Sequence, residues 1–73
     1  MSESLADRLL PVLTAEYVPA REIATRFQAK YGKTVGYGSL YIALSKLEAR
    51  GLAASTIDQD DIGPVKKFKR AGA

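Results

Sequence analysis

The sequence predicts a mainly α domain of the α+β class, three short helices followed by a two-stranded β-hairpin. Three features point there: apolar residues at helical spacing in three separate segments, a glycine-rich run between the second and third, and a final stretch of strand-forming residues that doubles back through a loop. With 73 residues, 47% of them apolar, the chain is read as one domain over 1–73 with a small core.

The first helix is expected over about 3–16, where Leu5, Leu9, Leu10, Val12 and Leu13 share a side and Ser2 or Ser4 supplies an N-cap. Pro11 lies within it. A proline removes a backbone donor and clashes with the carbonyl four residues earlier, so a kink or break is expected near Leu10.

The second helix, about 19–31, opens at Val18-Pro19 and places Ile23, Phe27 and Tyr31 on one stripe with Ala24 beside them. Arg21, Arg26 and Lys30 lie off the stripe, and Gly32 is a stop. Tyr17, Phe27 and Tyr31 are read as core residues rather than stacking platforms.

From Gly32 to Gly38 three glycines in seven residues mark a turn. The triplet Gly32-Lys33-Thr34 invites comparison with a phosphate-binding loop, but Phe27 stands where that motif needs its earlier glycine, and nucleotide binding is set aside.

The third helix, about 39–50, has Ser39 as its expected N-cap, Leu40, Ala43, Leu44 and Leu47 on its core face, and Gly51 as its C-terminal glycine. The opposite face is centred on Ile42, Ser45 and Ala49, flanked by Tyr41 and Lys46. It is small, polar and thinly charged, a surface suited to close approach. The hairpin, about 52–70, is read as strand Leu52–Ile57, loop Asp58–Pro64 and strand Val65–Arg70, with Phe68 turned to the core and Lys67 and Lys69 to solvent.

This order is that of a winged helix-turn-helix, in which the third helix enters the DNA major groove. Charge agrees with a polyanionic partner: the net +3 divides into −2 over residues 1–20, +4 over 21–51, −3 over 52–64 and +4 at the end. Tyr37, Ser39, Tyr41, Ile42 and Ser45 are the candidates for reading base edges. Arg21, Lys33, Thr34, Lys46, Arg50, Lys66, Lys67 and Lys69 are the candidates for phosphate contacts, which fix register and give salt-dependent affinity. Tyr41 fits nearly as well covering the edge of the core, and the wing lysines also suit an edge strand protected by charge.

The runs Gly38-Ser39-Leu40-Tyr41-Ile42-Ala43-Leu44, Lys46-Leu47-Glu48 and Arg50-Gly51-Leu52 resemble the recognition helix and first wing strand of PadR-like transcriptional regulators. Gly63-Pro64 and Lys67-Phe68-Lys69 resemble the family's returning strand more loosely, and the likeness covers about half the chain. It implies a winged-helix fold and transcriptional control, with Ser39, Tyr41 and the wing lysines near DNA. In the family a C-terminal dimerisation region follows, which these residues do not include.

Two other roles fit the same pattern. One is an architectural or recombination-directing factor that bends DNA and assembles side by side on repeats; for a DNA-binding chain of this size, dimerisation through helix 1 or side-by-side loading is expected. The other is a protein-interaction module using the acidic wing loop and Ile42. An enzyme is the class least supported, because no nucleophile is paired with a base. Without cysteine or histidine, disulfides, thiolate chemistry and histidine metal sites are excluded. Asp58, Asp60 and Asp61 begin like an EF-hand loop, but no glutamate follows at its twelfth position. No cofactor is implied. The longest apolar run, Leu9–Leu13, is far short of the roughly 20 residues that span a bilayer, and a cytoplasmic protein of bacterial or phage type is expected.

Overall fold

Ser4 opens the first helix of the computed structural model, which describes residues 4–71. In chain order the elements are α1 (Leu5–Leu9), a 3₁₀ turn (Leu10–Val12), β1 (Val18–Pro19), α2 (Ala20–Tyr31), α3 (Tyr37–Ala49), β2 (Ala53–Asp60) and β3 (Gly63–Arg70). The expected starts of helix 1 at residue 3 and of its alternative cap at Ser2 lie outside the described residues.

α1 begins with a capping box: Ser4 Oγ accepts from the Asp7 N–H at 3.2 Å, and the Ser4 N–H donates back to the Asp7 carboxylate at 3.4 Å. The helix lasts five residues, not the fourteen or so expected. Pro11 breaks it into the 3₁₀ turn, and Leu13 is already extended at φ −76°, ψ 146°. The Arg70 N–H then donates to the Thr14 carbonyl at 2.8 Å, so the chain after Leu13 is held on the base of the hairpin instead of resuming a helix.

That attachment leads into a strand that sequence pattern did not show. β1 pairs antiparallel with β3, Val18 opposite Phe68 and Pro19 opposite Lys67, giving a sheet ordered β1-β3-β2. Pro19 has no N–H to offer and sits at the sheet edge, where none is needed. It is therefore the N-cap of α2 rather than its first residue, and α2 ends at Gly32, whose N–H bonds the Gln28 carbonyl at 2.8 Å.

α3 starts two residues before the expected position. Gly36 is its N-cap, extended at φ −69°, ψ 148°, and Ser39 lies inside the first turn without capping it. The C-terminal end follows the sequence reading closely. Gly51, at φ 76°, gives its N–H to the Glu48 carbonyl at 3.0 Å and Leu52 gives its own to Leu47 at 2.9 Å, a Schellman motif that turns the chain directly into β2.

The hairpin is longer than expected. Asp58, Asp60, Gly63 and Pro64 belong to the ladder, which runs from Ala53 opposite Arg70 to Asp60 opposite Gly63, leaving Asp61-Ile62 as the turn. Asp60 Oδ1 accepts the Ile62 N–H at 2.9 Å, and Gly63 takes φ 123°, a conformation only glycine adopts without strain.

The core lies between the three helices and the proximal half of the sheet. Phe68, Leu9, Leu13, Ile23, Leu40, Leu44 and Leu47 are its largest fully buried side chains, joined by Phe27, Val12, Val18 and four buried alanines, Ala6, Ala20, Ala43 and Ala53. No polar or charged side chain is buried among the described residues. Tyr31 closes one edge: its ring meets that of Phe27 with centroids 4.8 Å apart and planes tilted 46°, and its hydroxyl donates to the Arg8 carbonyl at 3.1 Å, tying α2 to α1.

Candidate nucleic-acid interface

Burying Leu40, Ala43, Leu44 and Leu47 fixes the rotation of α3 and forces its remaining residues outward. Tyr37, Ser39, Tyr41, Ile42 and Ser45 are accordingly all exposed. Ile42 is 61% accessible, an apolar side chain on the outward face of the helix beside the exposed Tyr41. The one carboxylate on α3, Glu48, is engaged by the Ser55 hydroxyl of β2 at 2.7 Å, so the outward face presents no free acid.

The candidate residues separate onto two flanks. On the wing side, Tyr37 and Tyr41 share a groove with Arg21 of α2 and Lys66 of β3, walled by Pro19, Ala20 and Val65. Tyr41 does both things the sequence allows: its ring meets Phe68 at 6.0 Å, tilted 55°, yet the side chain stays 41% accessible. On the other side Ser39, Ile42, Lys46 and Arg50 line a groove whose far wall is Ser4, Leu5 and Ala6 of α1. That α1 wall has no signature in the sequence, because it depends on how two distant helices pack. Lys33 and Thr34 are exposed in the α2–α3 turn and line neither groove.

Strand alternation sorts the wing lysines. Lys66 lies on the same sheet face as Phe68, with its ammonium 5.4 Å from that ring, whereas Lys67 and Lys69 project from the opposite face. Lys67 pairs with Asp58 at 3.0 Å, and Lys69 stands over the Tyr17 ring at 5.1 Å. Tyr17 is thus a surface residue, 39% accessible, not the core residue expected. Arg50 faces Asp7 at 3.8 Å and Arg26 faces Glu22 at 3.3 Å, while among the described residues Arg21, Lys33, Lys46 and Lys66 enter no ion pair. The groove on the wing side therefore holds two cations that enter no ion pair among the described residues, and two phenols.

Helix, turn, helix and an antiparallel wing around one exposed helix face define a winged-helix domain. No protein-family model matches the chain, and no curated protein matches it. Solved structures do. A PadR-like transcription factor from Bacteroides fragilis superposes with a TM-score of 0.78 at 25% identity over 93% of this chain and 66% of its own. A PadR family transcription regulator from Clostridium difficile gives 0.74 at 22% identity, over 94% and 74%. The ferric uptake regulator of Vibrio cholerae gives 0.66 at 18%, over 99% and 55%. The chain has the PadR-like winged-helix fold, and it spans just under two thirds of the first of these proteins. The Bacteroides fragilis protein is named as a transcription factor and not as an enzyme, in line with the class inferred from the sequence. No described helix is long and apolar enough to cross a membrane.

Proposed function

We propose that this chain is a sequence-specific double-stranded DNA-binding protein, a small transcriptional regulator that inserts α3 into the major groove. The observation that carries this reading is the outward face of α3: an exposed, acid-free row of Tyr37, Tyr41, Ile42 and Ser45, bracketed by the unpaired cations Arg21, Lys46 and Lys66. A helix of this diameter fits the major groove, about 12 Å wide, and its first turns then reach base edges.

In this arrangement Tyr37, Ser39, Tyr41, Ile42 and Ser45 face the bases. Arg21, Lys46 and Lys66 take phosphates on either side of the groove, with Lys33 and Thr34 following from the turn and Arg50 from the end of α3. Lys67 and Lys69, on the far face of the wing, add to the positive field that draws DNA in. The likeness to proteins named as transcription regulators supports the same reading.

Fluorescence anisotropy on random duplex and on the region upstream of the chain's own coding sequence, at low and near-physiological salt, tests it. Binding upstream that survives the salt increase while random duplex is released is the expected result. Uniform release of both points to an architectural role, and no binding at low salt removes DNA as the partner.

A further inference from the structure

Gly38 sits in the first turn of α3, in one row with the exposed Ile42 and Ser45 at i+4 and i+7. Glycine there has no reason in the fold. Its backbone is not among those with positive φ, which are Gly32, Gly51 and Gly63, and a Cβ built on it meets nothing within 4 Å. Nor is it a cap, since Gly36 holds that position. A glycine inside a helix loses more conformational freedom on folding than any other residue, so the chain carries a cost at 38 that neither packing nor turn geometry repays.

A surface that must come very close to the helix backbone would repay it. We propose that Gly38 is the point of closest approach of α3 to DNA, where the bare Cα lets a base edge in the major groove rest against the helix backbone. A side chain at 38 would stand out from the row of Ile42 and Ser45 and hold the first turn of α3 away from the bases. This inference rests on the DNA-binding reading and deepens it: phosphate contacts act over longer range and tolerate such a displacement, base contacts do not.

The test compares the full chain with Gly38→Ala in two assays, thermal melting and anisotropy on the preferred and random duplexes. The alanine should raise the melting midpoint by up to roughly 8 °C, the upper figure being that of a glycine in the middle of a helix of a small domain. It should weaken the preferred duplex about tenfold, the scale of one extra methyl forced into a packed contact. Random duplex should change by less than about twofold, because that complex rests on phosphates. Gly38→Leu should deepen the loss on the preferred duplex. A Gly38→Ala protein that binds the preferred duplex as the parent does overturns the inference and leaves the DNA reading intact, as does a lowered melting midpoint, which would give the glycine a role in folding. A parent chain that binds no duplex at low salt overturns both.

Discussion

The Lys67 ammonium lies 3.0 Å from the Asp58 carboxylate across the hairpin, and the two are diagonal rather than directly opposed, since Asp58 faces Val65 and Lys67 faces Thr56. The diagonal places both on one face of the ladder. Asp60 shares that face by strand alternation, while Ile57, Gln59, Pro64 and Lys66 share the other with Phe68. The strand acids that would repel phosphate thus lie on the sheet face opposite Phe68 and Lys66. One of them also takes up the charge of a lysine that the sequence marks for DNA.

Asp58→Asn should release that lysine. The pair is half exposed, so stability should change by no more than about 0.5 kcal/mol. The chain gains one positive charge and an unpaired ammonium, and binding to random duplex at low salt should strengthen a few-fold, with a salt slope steeper by up to about one unit. Titration of random duplex at several salt concentrations checks this. An unchanged slope would mean Lys67 stays clear of phosphate even when free.

Lys46 and Lys66 stand on opposite flanks of α3, each without an ion-pair partner among the described residues. Lys46→Ala and Lys66→Ala should each weaken binding about equally across sequences and each lower the salt slope by about one. Two losses would show that DNA spans both flanks. Loss at Lys66 alone would restrict the contact to the groove shared by Arg21, Tyr37 and Tyr41.

Tyr41 needs a substitution that separates its two roles. Tyr41→Phe keeps the ring against Phe68 and removes only the hydroxyl, so melting should hold while sequence preference changes. Ser45→Ala likewise touches no buried group. Each direct base contact carries about 1–3 kcal/mol of discrimination, and selection from a randomised duplex pool should show one position relaxed in each variant. Pools identical to the parent's would take both residues out of base reading.

How far the sequence could be read depends on how local each feature is. The end of α3 was legible because the Schellman motif needs only a glycine at the right distance from Leu47, and the break after α1 because Pro11 acts on its own neighbours. The core face of α3 was legible from its period. β1 was not, because two residues carry no alternation and become a strand only by meeting Phe68 and Lys67 far along the chain. The start of α3 was missed because Ser39 has the chemistry of a cap, whereas Gly36 takes the position by backbone conformation alone. The acidic stretch read as loop because aspartate, glycine and proline are poor strand formers. It pairs because Asp60 and Gly63 build a tight turn between them. Among site residues, exposure on α3 followed from the helical period, but the division of the lysines between two wing faces required the register.

Leu44 is the position where sequence and structure converge most closely on a number. It lies at the centre of the α3 core face with no accessible surface, among Leu40, Leu47 and Phe68 in one buried cluster. Leu44→Ala removes buried methyl groups and leaves a cavity that surrounding side chains refill only in part, at a cost of about 2–5 kcal/mol. Small domains have only about 5–15 kcal/mol in total, and for this size each kcal/mol lowers the melting midpoint by about 4–8 °C. A fall of at least about 8 °C is therefore expected, together with weaker DNA binding at temperatures where the variant is partly unfolded and parental binding where it is folded. Melting within a degree or two of the parent would mean that α3 is rotated from the orientation described. The exposed row of Tyr41, Ile42 and Ser45 would then no longer face outward.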